Sequence, residues 1–339
     1  MDPARFGIRV KDPVCLERIR GILTAFFEGV ECGMKRPLAA AELGAAVDPV
    51  LRPFFHEGVA MGFLPNGYLG FSPARSSLRR LEDVFQEGDP FLFNRYVGLG
   101  FWLGFQHPRE VDRVDSFVRS LRGHKYRHLV HDGYGFKVGF FDSRPMEPSE
   151  LARFAQEIEA IRCEEEDSLE RGNMKLASEL HRMQEEAERS LGVDQLRKLE
   201  RFERASAFTG FGRSLWFYSM DRPRSGFALA RFLGPDRDAV LGGMGLASAF
   251  TFVDDLSRAY SAADELSGKE KSHFSKGIAI ALYVRASADR EHVRGCIERL
   301  PPEYRSRAEA DLSRALQVGE ETRGRDDFIE AFHEGCFRT

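Results

Sequence analysis

Apolar positions recur along the chain mostly at the three- and four-residue intervals of α-helices. Asp12 and Pro13 supply an N-cap acid and a proline at the first helical position, which predicts a helix beginning there. The same pattern predicts further helices, so that the predicted segments are residues 12–34, 149–161, 275–285 and 302–318. We therefore expect the chain to be predominantly helical.

The segment 149–205 differs from the rest of the chain because charged residues dominate it. Between Glu164 and Arg204 the sequence is dense in Glu, Lys, Arg, Gln and Leu, which are good helix formers. Its sparse apolar positions predict exposed helices with one docked face, and they keep no sustained heptad register. We expect one helical-repeat domain over residues 1–339 that contains this charged, more exposed segment.

A short motif recurs along the chain: an aromatic or aliphatic stretch, a leading glycine, one apolar residue, and a second glycine or alanine. The leading glycines are Gly58, Gly98, Gly133, Gly210, Gly243 and Gly277, with a degenerate first copy at Gly29. From Gly58 onward they are 40, 35, 77, 33 and 34 residues apart, and Gly172 divides the long gap. A repeat of this length is typical of tandem helical hairpins.

Glycine inside a helix costs about 1 kcal/mol relative to alanine, so the recurring glycines need a compensating role. Close approach of neighbouring helix backbones provides one, with aromatic residues filling the space beside the contact. The sequence therefore predicts an all-α fold in which hairpins form an α/α toroid or superhelix around an apolar interior. Strands are the alternative, because Gly98–Trp102 and Gly133–Phe136 also alternate with period two. The alanine-rich continuations after Gly243 and Gly277 favour helix.

The composition narrows the classes of partner. The 339 residues include 49 basic and 53 acidic ones, a formal net charge of −4, which gives no electrostatic footprint for nucleic acid or an anionic membrane. No apolar run reaches the length of a membrane span, and the N-terminus lacks the apolar stretch of a signal peptide. Five scattered cysteines without a Cys-x-x-Cys pair indicate a reducing compartment. We expect a cytoplasmic protein.

Three blocks of the sequence carry a family resemblance. They are Asp132–Phe136 followed by Gly139-Phe140-Phe141, then Gly210–Phe217, then Gly243–Ala247. In wording and order they resemble the family called domain of unknown function 1702, over roughly residues 54–285. The family includes the UnbL-like proteins of enediyne biosynthetic clusters. The resemblance implies a biosynthetic accessory protein that acts while a linear polyene polyketide becomes an enediyne core, and it implies no established catalytic residues.

Two acidic residues and one arginine are the candidates for chemistry. Glu57 and Asp132 both stand immediately before a leading glycine, and Glu28 does so in the degenerate copy. If their helices line an interior, the carboxylates would converge there with raised pKa values and act as acid or base. The alternative is that each acid complements a helix N-terminus or pairs with a neighbour. Arg213, among aromatic residues, needs an anionic or aromatic partner, whether Asp132, a ligand carboxylate or a ring face.

The aromatic residues of the motif copies are the candidates for binding an apolar substrate. The predicted substrate-binding residues are Tyr96, Trp102, Tyr134, Phe136, Phe211 and Trp216. We expect no metal and no cofactor. His124, His128 and His131 have a helical ligand spacing, but their surroundings favour ordinary surface histidines. Asp254 and Asp255 lack the third acid of a metal–diphosphate motif and are expected to be solvated.

The preferred hypothesis is a natural-product biosynthesis protein that binds or converts a long apolar unsaturated intermediate. In that case Asp132 or Glu57 would transfer a proton and Arg213 would anchor a polar end. A terpene or isoprenoid cyclase using acid–base chemistry is one alternative, and a non-catalytic helical scaffold for a partner protein is the other. The expected partners are a hydrophobic small molecule and biosynthetic proteins, and the sequence leaves open whether the chain is an enzyme.

Overall fold

The computed structural model describes residues 1–68, 88–121, 124–142, 160, 164, 174–325 and 327–337. All regular structure within these residues is helical. The α-helices are α1 (Pro13–Lys35), α2 (Ala40–Ala46), α3 (Arg52–Tyr68), α4 (Leu92–Gln106), α5 (Val111–Ser120), α6 (Leu129–Lys137), α7 (Met174–Leu191), α8 (Val193–Leu196), α9 (Arg201–Ser219), α10 (Pro223–Phe232), α11 (Arg237–Thr251), α12 (Ser257–Asp264), α13 (Gly268–Ala288), α14 (Arg290–Glu298), α15 (Pro302–Thr322) and α16 (Phe328–Phe337).

The prediction of an all-helical chain is confirmed over this part of the sequence, and the strand alternative is wrong. Gly98–Trp102 lies inside α4 and Gly133–Phe136 lies inside α6. A π-helical turn, Val138–Asp142, continues α6. None of the described helices is long and apolar enough to cross a membrane.

Several predicted helix limits agree with the structure. Pro13 opens α1, and the Asp12 carboxylate caps it by accepting a 2.8 Å hydrogen bond from the Cys15 amide. The segments predicted over 275–285 and 302–318 lie within α13 and α15. The helix predicted over 149–161 falls almost entirely outside the described residues. Of the charged segment 149–205, the described part includes α7, and the division of the chain into domains stays a prediction.

The glycine-bearing helices α1, α3, α4, α6, α9, α11 and α13 form one row in which each packs against the next, and their backbones touch at the glycines. A Cβ atom on Gly133 would lie 2.0 Å from the Val97 carbonyl oxygen of α4. One on Gly210 would lie 1.8 Å from the Asp132 carbonyl oxygen of α6. No side chain fits at such distances, so the close approach explains why these positions lack one.

The Gly-x-Gly spacing places each helix between two neighbours. Successive residues of an α-helix are about 100° apart around its axis, so residues two apart face nearly opposite directions. Gly133 accordingly contacts α4, whereas Gly135 contacts α9, where its Cβ would lie 1.8 Å from the Ala207 carbonyl oxygen. The first glycine contacts the preceding helix and the second the following helix in the other pairs too, which are Gly98 and Gly100, Gly210 and Gly212, and Gly243 and Gly245.

The row has two distinguishable ends and one direct contact across a long stretch of sequence. In α1, Gly29 and Gly33 are four residues apart, share a face, and both contact α3. At the other end, Gly277 of α13 contacts α11. Although 77 residues separate the leading glycines of α6 and α9, the two helices pack directly together. No copy of the motif is therefore inserted between them, and Gly172 lies outside the described residues.

Candidate functional site

A buried cluster of three charged side chains joins α3, α6 and α9. The Arg213 guanidinium donates from Nη2 to Glu57 Oε1 at 2.7 Å and from Nη1 to Asp132 Oδ1. The exposed fractions are 3% for Glu57, 4% for Asp132 and 6% for Arg213. The structure thus brings together the three residues that the sequence analysis selected as catalytic candidates, and we call them the charged triad.

The register of the repeat explains why the triad forms. Glu57 and Asp132 stand one residue before a leading glycine, and Arg213 stands three residues after one. These two slots are four residues apart, so they lie on the same helix face, one turn from each other. The two glycine contacts lie on either side of that helix face. Side chains in these slots on neighbouring helices therefore lie on the same side of the row. Glu28 occupies the earlier slot in α1, but it is exposed and takes no part in the triad.

The triad contains two carboxylates and only one cation, so it carries a net negative charge when both acids are ionised. Burial raises the pKa of Glu57 and of Asp132, because a charged group loses its hydration in apolar surroundings. The negative charge of Asp132 raises the pKa of Glu57 further, whereas Arg213 opposes both shifts. A single proton on the pair of acids makes the triad neutral, which is the state that an apolar environment favours.

A small apolar cavity of about 50 Å³ lies against the triad. Glu57 and Arg213 are the charged side chains among its described lining residues. The others are Phe6, Ile8, Ile19, Ile22, Leu23, Phe26, Phe27, Phe54, Met61, Phe101, Phe136, Phe140, Phe141 and Phe217. The cavity is smaller than the roughly 300–1,000 Å³ typical of small-molecule sites.

The aromatic part of the wall is centred on Phe136. Its ring centroid lies 4.9 Å from that of Phe101, 5.2 Å from that of Phe140 and 5.7 Å from that of Phe217. The Arg213 guanidinium carbon lies 5.3 Å from the centre of the same ring, within the range of a cation–π contact. Aromatic rings therefore surround the polar edge that Glu57 and Arg213 form among the described lining residues.

Of the six predicted substrate-binding aromatics, Phe136 lines the cavity and the other five do not. Tyr96 packs elsewhere in the core, with its hydroxyl 2.7 Å from His124 Nδ1. The Tyr134 hydroxyl donates to Gln195 in α8. Trp216 lies against Phe274, and Trp102 and Phe211 are likewise buried in the core. A binding role for these five stays a prediction without support from the cavity.

Most of the described residues that line the cavity were not predicted from the sequence, although the repeat contained a signal for them. Met61, Phe101 and Phe136 each stand three residues after a leading glycine, in the slot that Arg213 occupies in α9. Phe140 and Phe217 stand one further turn along their helices. Aromatic content alone did not distinguish this face from the opposite one.

The prediction that these histidines are ordinary surface residues is wrong for His128 and His131. His128 and His131 are not surface residues, because both are buried, and His131 Nε2 lies 3.3 Å from Asp115 Oδ1. The described residues contain no group of three or more His, Cys, Asp or Glu side chains suited to hold a metal ion. Asp254 pairs with Arg18 at 2.6 Å, and Asp255 pairs with Arg258, as partly exposed acids do.

One comparison with known proteins gave a match. The family model described as "Protein of unknown function (DUF1702)" matches residues 3–151, a range that includes Glu57 and Asp132 and ends before Arg213. The match begins and ends earlier in the chain than the blocks that suggested the resemblance. No curated protein and no solved structure matches the chain. Residues 3–151, which are less than half of the chain, are therefore similar to the DUF1702 family.

Proposed function

We propose that the chain binds a long, apolar, unsaturated intermediate of natural-product biosynthesis in the aromatic cavity beside the charged triad. The observation that carries the proposal is an apolar wall whose charged groups are confined to one buried, mutually paired edge. Such a wall favours a ligand that is hydrocarbon-like over most of its length. In this proposal the row of helices curves as a toroid or superhelix around the ligand, and the protein acts in the cytoplasm.

The cavity has to widen to accept such a ligand. Phe26, Phe27 and Met61 are only partly buried, and Phe141 is 40% exposed, so these side chains border the cavity where it approaches solvent. Rotation of aromatic and methionine side chains at an exposed edge meets less resistance than rearrangement of a close-packed core. Binding by displacement of these side chains is therefore part of the proposal.

A polyene polyketide is the intermediate that we put first, and an enediyne pathway is the context that the family resemblance suggests. An isoprenoid chain would satisfy the same wall, so the cyclase alternative differs from the first hypothesis in substrate rather than in site. A scaffold that only binds a partner protein would place its binding residues on an exposed surface. The buried charged triad against an apolar cavity favours a small-molecule ligand instead.

Binding of diphenylhexatriene, an uncharged conjugated hydrocarbon that fluoresces in apolar surroundings, tests the proposal. The wild-type chain should raise its fluorescence in a saturable way. Met61→Trp, which fills the partly buried edge of the cavity, should weaken binding by about tenfold, or about 1.4 kcal/mol. Met183→Trp is the matched control, because Met183 is exposed on α7 and lies outside the cavity wall.

Two outcomes would contradict the proposal. One is a wild-type chain that does not bind the probe. The other is equal binding by both tryptophan variants, which would place the probe on another surface. Circular dichroism of both variants shows whether the helical fold is retained.

A further inference from the structure

Only one of the two acids in the charged triad lines the cavity. Glu57 is among the lining residues and Asp132 is not. Glu57 Oε1 accepts the hydrogen bond from Arg213, and the other carboxyl oxygen, Oε2, accepts none from the described residues. Asp132 lies on the other terminal nitrogen of the same guanidinium. Glu57 therefore holds the position from which a proton can reach a bound ligand, and Asp132 acts on it through Arg213.

None of the described lining residues offers a free positive charge with which to bind an anionic group. Both terminal nitrogens of Arg213 already donate to carboxylates. The remaining described lining residues are apolar. A buried diphosphate or carboxylate would need a paired cation or a metal ion to offset its lost hydration. The part of a ligand that enters the cavity is therefore uncharged, and ionisation of a charged leaving group is not how this site would start a reaction.

We propose that Glu57 is a catalytic acid that protonates a carbon–carbon double bond of an uncharged polyene, with Asp132 and Arg213 as positioning residues. This inference rests on the proposed function, because it assumes that the polyene occupies the cavity. It makes Glu57 the acid and gives Asp132 a different role, whereas the sequence favoured Asp132 as the acid because that residue lies in a block that carries the family resemblance.

The step is balanced without an oxidant or a reductant. The π electron pair of the double bond forms a new C–H bond with the proton of Glu57, and the O–H electron pair stays on the carboxylate. The neighbouring carbon becomes a carbocation that is delocalised along the polyene. Ring closure or bond migration consumes the cation, and the loss of a proton from an adjacent carbon to Glu57 restores the acid. The product is an isomer of the substrate.

The surroundings suit both charged species of this step. The carboxylate left on Glu57 keeps its hydrogen bond to Arg213, so its charge is not isolated. The rings of Phe26, Phe101 and Phe136 border the same space, and aromatic rings attract a cation through their quadrupoles. An apolar wall also excludes water that would otherwise quench the cation.

The protonation state of Glu57 is the first part of the test. Infrared difference spectra of the wild-type chain near pH 7 should contain the C=O band of a buried protonated carboxylic acid. The band should shift when glutamate carries a heavy-carbon label in its side-chain carboxyl group, and labelled aspartate should leave it in place. Glu57→Gln should remove the band. Asp132→Asn should remove it as well, because Glu57 and Arg213 then form a neutral ion pair.

Proton transfer is the second part. Diphenylhexatriene incubated with the protein in heavy water should acquire deuterium at chain carbons, and mass spectrometry measures the exchange. The exchange rate should fall by about a hundredfold or more in Glu57→Gln. Met183→Trp should exchange at the wild-type rate, because Met183 lies outside the cavity wall.

The outcomes separate the two proposals. If the probe does not bind at all, the proposed function fails. If the probe binds but the infrared band is absent or follows labelled aspartate, Glu57 is not the acid and this inference is overturned. A protonated Glu57 without deuterium exchange into the bound probe also overturns it, because the residue would then be structural. Binding by Glu57→Gln with exchange lost is the result that supports it.

Discussion

In the charged triad one arginine pairs with two acids. This imbalance of charge determines how substitutions of these residues change the stability of the chain. A buried ion pair gains little over a well-packed apolar group of similar shape, but a buried charge that loses its partner costs about 3–5 kcal/mol. Removing Arg213 therefore has a much larger effect than neutralising the whole triad. Comparing removal of Arg213 with neutralisation of the whole triad therefore separates the free-energy cost of unpaired buried charge from the cost of lost packing.

The first stability prediction concerns Arg213→Met. Without the cation, we expect both acids to be protonated in the folded state, whereas we expect the wild-type triad to retain one proton. Their folded pKa values then lie above the ordinary values of 4.5 for Glu57 and 3.8 for Asp132, so stability falls as pH rises past those values. Urea unfolding should show a loss of about 3–5 kcal/mol at about pH 7 and a smaller loss at about pH 5.

The matched control is the triple variant Glu57→Gln, Asp132→Asn, Arg213→Met, which carries no charge in the triad. It should recover most of the stability that Arg213→Met loses and should remove the pH dependence that the triad contributes. A triple variant as unstable as Arg213→Met at both pH values would mean that packing around Arg213, rather than unpaired charge, causes the loss.

At the scale of the element, the Gly-x-Gly motif sets the distance between helices. Gly210 of α9 lies against the backbone of α6, and Gly212 lies against that of α11, where its Cβ would be 2.1 Å from the Val240 carbonyl oxygen. Each such helix is thus held on both sides by contacts that tolerate no side chain. The triad depends on this spacing, because Asp132 and Arg213 meet across the Gly210 contact.

Gly210→Ala should accordingly destabilise the chain by about 1–3 kcal/mol or more, since α6 and α9 must separate to admit the methyl group. Gly295→Ala in α14 is the control, because the nearest atom to a Cβ there is 3.8 Å away on the Arg299 side chain. That change should stabilise the chain by about 0.5–1 kcal/mol, as alanine favours helix over glycine. Thermal melts of the two variants should therefore shift in opposite directions.

The helical period that predicted these elements also explains which part of the site the sequence missed. Tyr134 and Phe211 stand one residue after a leading glycine, about 100° from it, on the side away from the charged triad. On that side Tyr134 contacts α8, because its hydroxyl donates a hydrogen bond to Gln195. Knowing which side faces the cavity requires knowing which helices the two glycines contact, and this is tertiary information.

The shared slot of Glu57 and Asp132 was predictable, whereas their convergence also required that their helices line a common interior. Both acids occupy the same slot of the repeat, and the repeat can be found in the sequence. The partner of Arg213 was left open between Asp132, a ligand carboxylate and an aromatic ring face, because a sequence does not show how far a side chain reaches across two helices. The direct contact of α6 with α9 was hidden for a related reason, since the spacing of 77 residues also fits one additional copy.

At the scale of the whole molecule, a second buried arginine ties the end of the row back toward its beginning. Arg285 of α13 is 4% exposed, and its guanidinium donates to the carbonyl oxygens of Pro49 at 3.1 Å and Val50 at 2.7 Å, just before α3. It also donates to the Phe250 carbonyl oxygen near the end of α11. Three carbonyl groups on two distant parts of the chain thus converge on one side chain.

Lysine cannot reproduce this arrangement, because one ammonium group replaces a planar fork with two terminal nitrogens. Arg285→Lys should therefore lose at least one charge-assisted hydrogen bond and leave a buried carbonyl unpaired, at a cost of about 2–3 kcal/mol in urea unfolding. Arg294→Lys, on an exposed position of α14, should change stability by less than about 0.5 kcal/mol.

If both variants unfold at the wild-type urea concentration, Arg285 does not stabilise the contact between α13 and the start of α3. If Arg285→Lys alone is destabilised and also binds diphenylhexatriene more weakly, then the cavity depends on the connection between α13 and the start of α3, even though Arg285 itself does not line it.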